Sequence, residues 1–261
     1  MDIQPDLSVC LLHRDADTDG LAAFLDSLHT HADPVSFEVI LVAGQPDSPS
    51  LARLEHEFPG MTILENQAEQ SLVMARNHAF RLGQGRFLSC WDPHLLLRPA
   101  TLPLLIGFLD ENPDVGMAAP RIVAPDGKVL PTIRTVPSLT SVLASHPDLG
   151  PRLGLTANLP RHLLADRDHL LPMEAEWLLD TCLVIRQELV EEVGLFDEGF
   201  RDHYADADLC LRARRAGWHL HYTSDAVAVL TSSHNLPSSS LLSDGARFLF
   251  KKWLIPINPA A

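Results

Sequence analysis

Short apolar runs recur through the first half of the chain, at residues 7–12, 38–42, 61–64 and 86–91. Runs of this length bounded by turn residues predict buried strands. Between them the apolar positions change period. Leu21, Phe24, Leu25 and Leu28 fall on one face of a helix within residues 17–29, and residues 51–58 and 71–82 repeat the pattern. Strands alternating with helices about every 25 residues predict βαβ crossovers and a mostly parallel sheet, an α/β fold.

The second half is less regular. Residues 101–112 predict a helix and 115–119 a strand, and Ala124-Pro125-Asp126-Gly127 reads as a hairpin turn. Residues 135–172, rich in Pro, Leu, His and Arg, hold no steady period and predict a long loop or a loosely helical excursion. Loops of that length inside a domain are usually functional or mobile. Order returns at 177–186, then a helix over 187–193, a turn at Gly194, a helix over about 205–216, and strands at 218–222 and 226–230.

Composition narrows the classes. A chain of 261 residues that is 46% hydrophobic can bury a large core without disulfides or metal. Its net charge of −14 argues against a phosphate-backbone binder, so nucleic acid is not an expected partner. Cys10, Cys90, Cys182 and Cys210 are far apart, with no C-x-x-C and no secretory signal, which predicts reduced thiols and a cytoplasmic location. No apolar run approaches the ~20 residues of a membrane span. The segment 247–255 (RFLFKKWLI) mixes aromatic, aliphatic and basic residues. It reads as a helix packed on the domain, with peripheral contact at the inner face of a membrane as the alternative.

The stretches ENPDVGMAAPRIVAPDGKVLP (111–131), EWLLDTCLVIRQELVEEVGLFDEGF (176–200) and YADADLCLRARRAGWHLHY (204–222) resemble the family 2 glycosyltransferases, especially their rhamnosyltransferase-like branch. Ala75-Arg76-Asn77 followed by GRFLSCWDPH resembles the same family's ARN and aspartate-x-aspartate stretch. The likeness runs over roughly residues 7–231. It implies the GT-A fold in one continuous domain over 1–261: a nucleotide-sugar-binding half at about 7–120, an acceptor-binding half at about 121–231, and a tail at 232–261. It also implies sugar transfer, usually inverting, from a nucleotide diphosphate donor to a glycan or lipid-linked saccharide hydroxyl.

Site residues follow from the resemblance. Asp92-Pro93-His94 occupies the place of the aspartate-x-aspartate motif, whose last carboxylate reaches a divalent metal on the donor diphosphate. Histidine there favours Mn²⁺ over Mg²⁺, because imidazole suits the softer ion. The plain alternative is an Asp-Pro turn with a solvated histidine. Asp206 matches the general base, the alternative being a carboxylate favoured by a helix start. Asp208, about 200° around that helix, faces away and pairs with Arg212 at i,i+4, as a surface or structural pair. Arg76 lines the donor cleft in the family, and Trp177 the acceptor wall, unless they are a solvated charge and a core ring.

The chain also departs from the pattern. The second strand ends in Ala43-Gly44 where the family has a base-contacting aspartate. Asp180-Thr181 replaces a Gly-Ala pair, which puts Asp180 toward the acceptor, and Ala205 replaces the acid before the base. The late metal histidine falls at Leu230 or Thr231, with His234 nearby. Nucleotide recognition is then expected from His13, Asp15 and Glu65, or else the chain is a non-catalytic scaffold in polysaccharide assembly.

Overall fold

A computed structural model describes residues 4–13, 18–66, 70–232 and 238–254. The elements run β1 (Leu7–His13), α1 (Asp19–His31), β2 (Phe37–Ala43), α2 (Pro49–Glu57), β3 (Thr62–Glu65), α3 (Leu72–Leu82), β4 (Phe87–Trp91), β5 (Leu95–Leu97), α4 (Thr101–Glu111), β6 (Val115–Val123), β7 (Val129–Leu130) and β8 (Ile133–Arg134). There follow α5 (Leu139–Ser145), α6 (Leu149–Arg152), α7 (Leu159–His162), β9 (Met173–Glu174), β10 (Trp177–Leu178), β11 (Cys182–Arg186), α8 (Gln187–Val193), α9 (Ala205–Arg215), β12 (His219–Leu230) and α10 (Leu241–Leu254).

One sheet organises these elements in the order β3-β2-β1-β4-β11-β6-β12-β5, with β7 on β6 and β9 on β12. The pairs β3–β2–β1–β4 and β6–β12 are parallel, and β11 is antiparallel to both of its neighbours. Period-two alternation divides the sheet's side chains between two cores. Val9, Leu11, Leu41, Trp91 and Val184 pack under α1, α2 and α4. Cys10, Ile40, Val42, Cys90, Leu183 and Ile185 pack under α3, α8 and α9, together with Phe248 of α10. All four cysteines are buried free thiols.

Local signals explain the helix limits. The Ser71 hydroxyl accepts the Met74 N–H at 3.2 Å and starts α3, which stops at Gly83. Ser138 and Ser141 form a reciprocal cap that starts α5 inside the excursion. Of the two readings of that excursion, the helical one holds, as a set of short helices. The order at 177–186 consists of β10 and β11 separated by a turn. One reading needs correction: the expected strands at 218–222 and 226–230 are one strand, β12, with a register shift between Thr223 and Val227.

The helix α10 is anchored to the body of the protein. Its buried Asp244 accepts the backbone N–H groups of Arg201, Asp202 and His203 at 3.0–3.3 Å, holding the loop that enters α9. Lys251 reaches both Asp197 at 2.7 Å and Asp208 at 2.6 Å. Asp208 also takes Arg212 Nε at 2.8 Å, the expected i,i+4 partner. Of the two readings, surface or structural, the structural one holds: Asp208 is only 2% exposed, and α10 supplies a second cation from outside the helix.

A buried carboxylate shared by two cations is costly to neutralise, since the cations then lose their partner. Asp208→Asn should therefore destabilise the fold by roughly 1–3 kcal/mol, discounted for the partial exposure of both cations. Urea unfolding should show this as a lower midpoint at unchanged slope, and a shift worth only a few tenths of a kcal/mol would contradict the buried network.

Candidate active site

The strand registers place the candidate residues along one edge. His13, Ala43 and Glu65 are consecutive partners across β1, β2 and β3, and Leu11 of β1 pairs with Trp91, so Asp92 leaves β4 on the same edge. Because β11 runs antiparallel, its beginning meets the end of β4: Cys182 pairs with Trp91, and Asp92 N–H donates to Thr181 O at 2.8 Å. Asp180 is thereby brought to the carboxyl ends of the parallel strands, the usual position for ligands in open α/β sheets.

A cluster of charge sits there. Arg76, on the second turn of α3, forms a short ion pair with Asp180. Burial alone would lower the arginine's pKa, but Asp180, with Asp206 and Asp92 behind it, raises it. Asp206, in the first turn of α9, is 5% exposed. Its carboxylate accepts Ala207 N–H at 2.8 Å and Asp180 N–H at 3.4 Å. Burial first, and the charge of Asp180 second, push Asp206 up to about 7, against the opposing pull of the Trp177 indole, the Ala207 N–H and Arg76. The Trp177 Nε1 makes no well-formed hydrogen bond, yet lies close enough to favour the ionised carboxylate.

Asp92 and His94 form a turn. Asp92 Oδ1 accepts the His94 N–H at 2.9 Å, and the His94 carbonyl accepts both the N–H and the hydroxyl of Thr231, at 3.0 and 2.8 Å. Thr231 therefore stands beside the motif, where the resemblance led one to look for a histidine. The His94 ring is 8% exposed and packs on Gly20 in the first turn of α1, so closely that a Cβ on Gly20 would lie 2.5 Å from Nδ1. One carboxylate oxygen of Asp92 and an imidazole fit a divalent ion that accepts mixed oxygen and nitrogen ligands. Among the described residues no group of three or more His, Cys, Asp or Glu converges as a metal cage.

The remaining expected residues divide. His13 is buried at the end of β1, and Glu65 is exposed at the end of β3. Asp15 and His234 lie outside the described residues. Trp177 is a core ring, 3% exposed, in tilted contact with Tyr204 at 5.9 Å and His162 at 5.7 Å between ring centres. It forms the floor beside Asp206 and not an open wall. Asn77 is structural: it clamps the backbone of Phe196 in both directions at 2.8 and 3.2 Å. Arg134, whose guanidinium lies 5.2 Å above the Trp177 ring, was not anticipated, since a two-residue strand at the edge of an aperiodic segment leaves no pattern. A groove of about 590 Å³ bordered by Ser27, His31, Leu96 and Arg98 is lined by none of these groups.

The family model for glycosyl transferase family 2 matches residues 9–194. Two curated relatives, both named N-acetylglucosaminyl-diphospho-decaprenol L-rhamnosyltransferase and from two strains of Mycobacterium tuberculosis, are 30% identical over 146 residues, covering 55% of this chain and 46% of theirs. The match thus spans about half the length of those relatives. A crystal structure of GalNAc-T7 with UDP, GalNAc and Mn²⁺ superposes with a TM-score of 0.72 at 14% identity, covering 96% of this chain and 49% of that one. Family model, sheet order and structural likeness agree: the chain has the GT-A fold and belongs to glycosyl transferase family 2.

Proposed function

We propose that this glycosyltransferase moves a sugar, with inversion, from a nucleotide diphosphate donor to a hydroxyl of a lipid-linked saccharide or growing glycan. The observation that carries the reading is Asp206, a buried carboxylate poised near neutrality beside the Arg76–Asp180 pair at the carboxyl edge of the sheet. The names of the relatives favour an L-rhamnosyl donor and a diphospho-polyprenol acceptor.

In this reading the half at about 121–231 takes the acceptor, and His13, Glu65 and Arg76 line the donor side, with Asp15 between β1 and α1 in sequence. Asp206 accepts the proton of the attacking hydroxyl as its oxygen bonds to the anomeric carbon. The bond to the diphosphate breaks in the same displacement. Asp180 holds Arg76 near the developing charge and keeps Asp206 basic enough to take a proton. Asp92 and His94 would hold a divalent ion, with His234 as a further candidate ligand in sequence, and such an ion would supply positive charge to the leaving diphosphate. The apolar floor of Trp177 and Tyr204 keeps water from the carboxylate.

Transfer should rise with pH through about 7, as Asp206 loses its proton. Asp206→Asn should lower turnover by on the order of 10² or more while leaving nucleotide affinity nearly unchanged. The sign for stability is opposite. The folded protein holds this proton up to about pH 7, whereas the unfolded chain releases it near 3.8, so stability falls as pH rises between those values. At pH 8 the asparagine variant should gain on the order of 1–3 kcal/mol over the parent. An active Asp206→Asn enzyme would remove the residue from the chemistry.

Calorimetry with UDP, GDP and dTDP tests the donor side. One of them should bind more tightly with Mn²⁺, and His94→Ala or Asp92→Asn should lower that metal-dependent gain by roughly tenfold, the loss of one charge-assisted ligand. Binding of none of them by folded protein would favour a non-catalytic scaffold.

A lipid-linked acceptor also brings the protein to a bilayer. No helix among the described residues is long and apolar enough to cross one. On α10, however, Phe250 and Trp253 project outward, the latter 82% exposed. Residues 238–254 carry three cations against one carboxylate, a net of +2 in a chain of −14. Arg247 and Lys251 are engaged by acidic partners, so the aromatic pair carries the contact. Sedimentation with phosphatidylglycerol-containing vesicles should capture the protein, and Phe250→Ser with Trp253→Ser should weaken capture by roughly tenfold or more. Equal capture of both proteins would exclude this face.

A further inference from the structure

Arg134 stands apart from the other buried cations of the site. Arg76 has Asp180, Arg212 has Asp208, and Arg186 is held by the carbonyls of Leu109, Asn112 and Val115. Arg134 makes no ion pair and no hydrogen bond among the described residues, and its Nε–H is buried without a partner. Its one close contact is the face of Trp177, its register partner across the β8–β10 ribbon. Burial lowers its pKa, offset in part by the more distant charges of Asp206 and Asp180.

A second unsatisfied group lies next to the ribbon, at Thr132, which immediately precedes β8 and stands two residues before Arg134. Its carbonyl accepts Leu179 N–H at 3.1 Å, but its buried hydroxyl has no partner. His162, in tilted contact with Trp177 from the excursion, does not share the positive charge: burial and Arg134 drive its pKa down to about 4, so it is neutral at physiological pH. The buried Nε–H of the half-buried Arg134 and the buried Thr132 hydroxyl, donors without partners, leave an acceptor's place unfilled.

We infer that Arg134, assisted by Thr132, binds a phosphate oxygen of the acceptor, so that this ribbon selects acceptors whose first sugar is carried on a phosphate or diphosphate. The inference rests on the transfer reading for its choice of acceptor, but not for the anion site. Arg134 sits on β8, paired with β10, whereas Asp92 follows β4, so an anion held there would leave the donor edge clear. A guanidinium offers several N–H donors and a hydroxyl adds one more, a donor set suited to a tetrahedral oxyanion.

The test is calorimetric and does not require turnover. Decyl diphosphate is titrated into wild type, Arg134→Met and Thr132→Val, with decanol as the neutral control and UDP as the donor-side probe. Wild type should bind decyl diphosphate at least tenfold more tightly than decanol. Arg134→Met, which keeps an apolar stem on Trp177, should lose roughly 10- to 100-fold in that affinity, and Thr132→Val several-fold. Arg134→Lys should recover part of it, and UDP affinity should move by less than about threefold, well inside the effect of one charged hydrogen bond. Unchanged diphosphate binding in a folded Arg134→Met protein, or a wild type that does not distinguish diphosphate from alcohol, would overturn the site. A loss confined to UDP would transfer Arg134 to the donor. A protein that binds decyl diphosphate through Arg134 yet transfers no sugar would refute the transfer reading alone.

Discussion

The site depends on a carboxylate that is almost wholly buried: Asp206 is 5% exposed. Asp206 gains two backbone hydrogen bonds and the neighbourhood of Arg76, and this is not enough to keep it fully ionised against burial and the charge of Asp180. A group in that balance is expensive for stability and useful for chemistry, because its proton can be moved near neutral pH. Everything near it limits how far the balance can drift. Arg76 is tied to Asp180, Trp177 fixes the floor, and the start of α9 is held from outside by Asp244.

The two acids at the start of α9 show how one helix separates roles. Asp206 and Asp208 lie in the same turn and are almost equally buried. Asp208 turns to Arg212 and Lys251, both within 2.8 Å, and serves packing. Asp206 turns to the sheet edge and meets another carboxylate. The difference comes from helical phase and from what each face meets, since the residue type is the same.

What could be seen in the sequence was what repeats. The strands β1 to β4 and helices α1 to α4 carry runs and periods long enough to recognise, and they fix the edge on which Asp92 sits. The β8–β10 ribbon and β5 have two or three residues each, too few for any period, so Arg134 and the pairing of Leu95 with Leu230 were not legible. The short helices of residues 139–162 are interrupted by Pro and Gly, which hides their periodicity. The motif aspartates Asp92 and Asp206 could be named. That Asp180 would lie against Asp206 could not, because the turn between β10 and β11 brings them together over 26 residues. The i,i+4 pairing of Asp208 was visible, but its burial depends on Lys251, far downstream and without a local signal.

The clamp by Asp244 has a consequence for the order in which a growing chain can become competent. The parallel strands β1 to β4 are complete by Trp91 and can pair while later residues are still being made. The loop at residues 201–203 is emitted long before its acceptor carboxylate, and Lys251 arrives later still. On a ribosome, the sheet edge would therefore exist for about 8–30 seconds at ordinary elongation rates of about 5–20 residues per second before α9 is locked in place. Through that interval the nascent chain has its parallel strands but not the support of Asp244 and Lys251, so the position of Asp206 at the start of α9 is fixed only once α10 has been made.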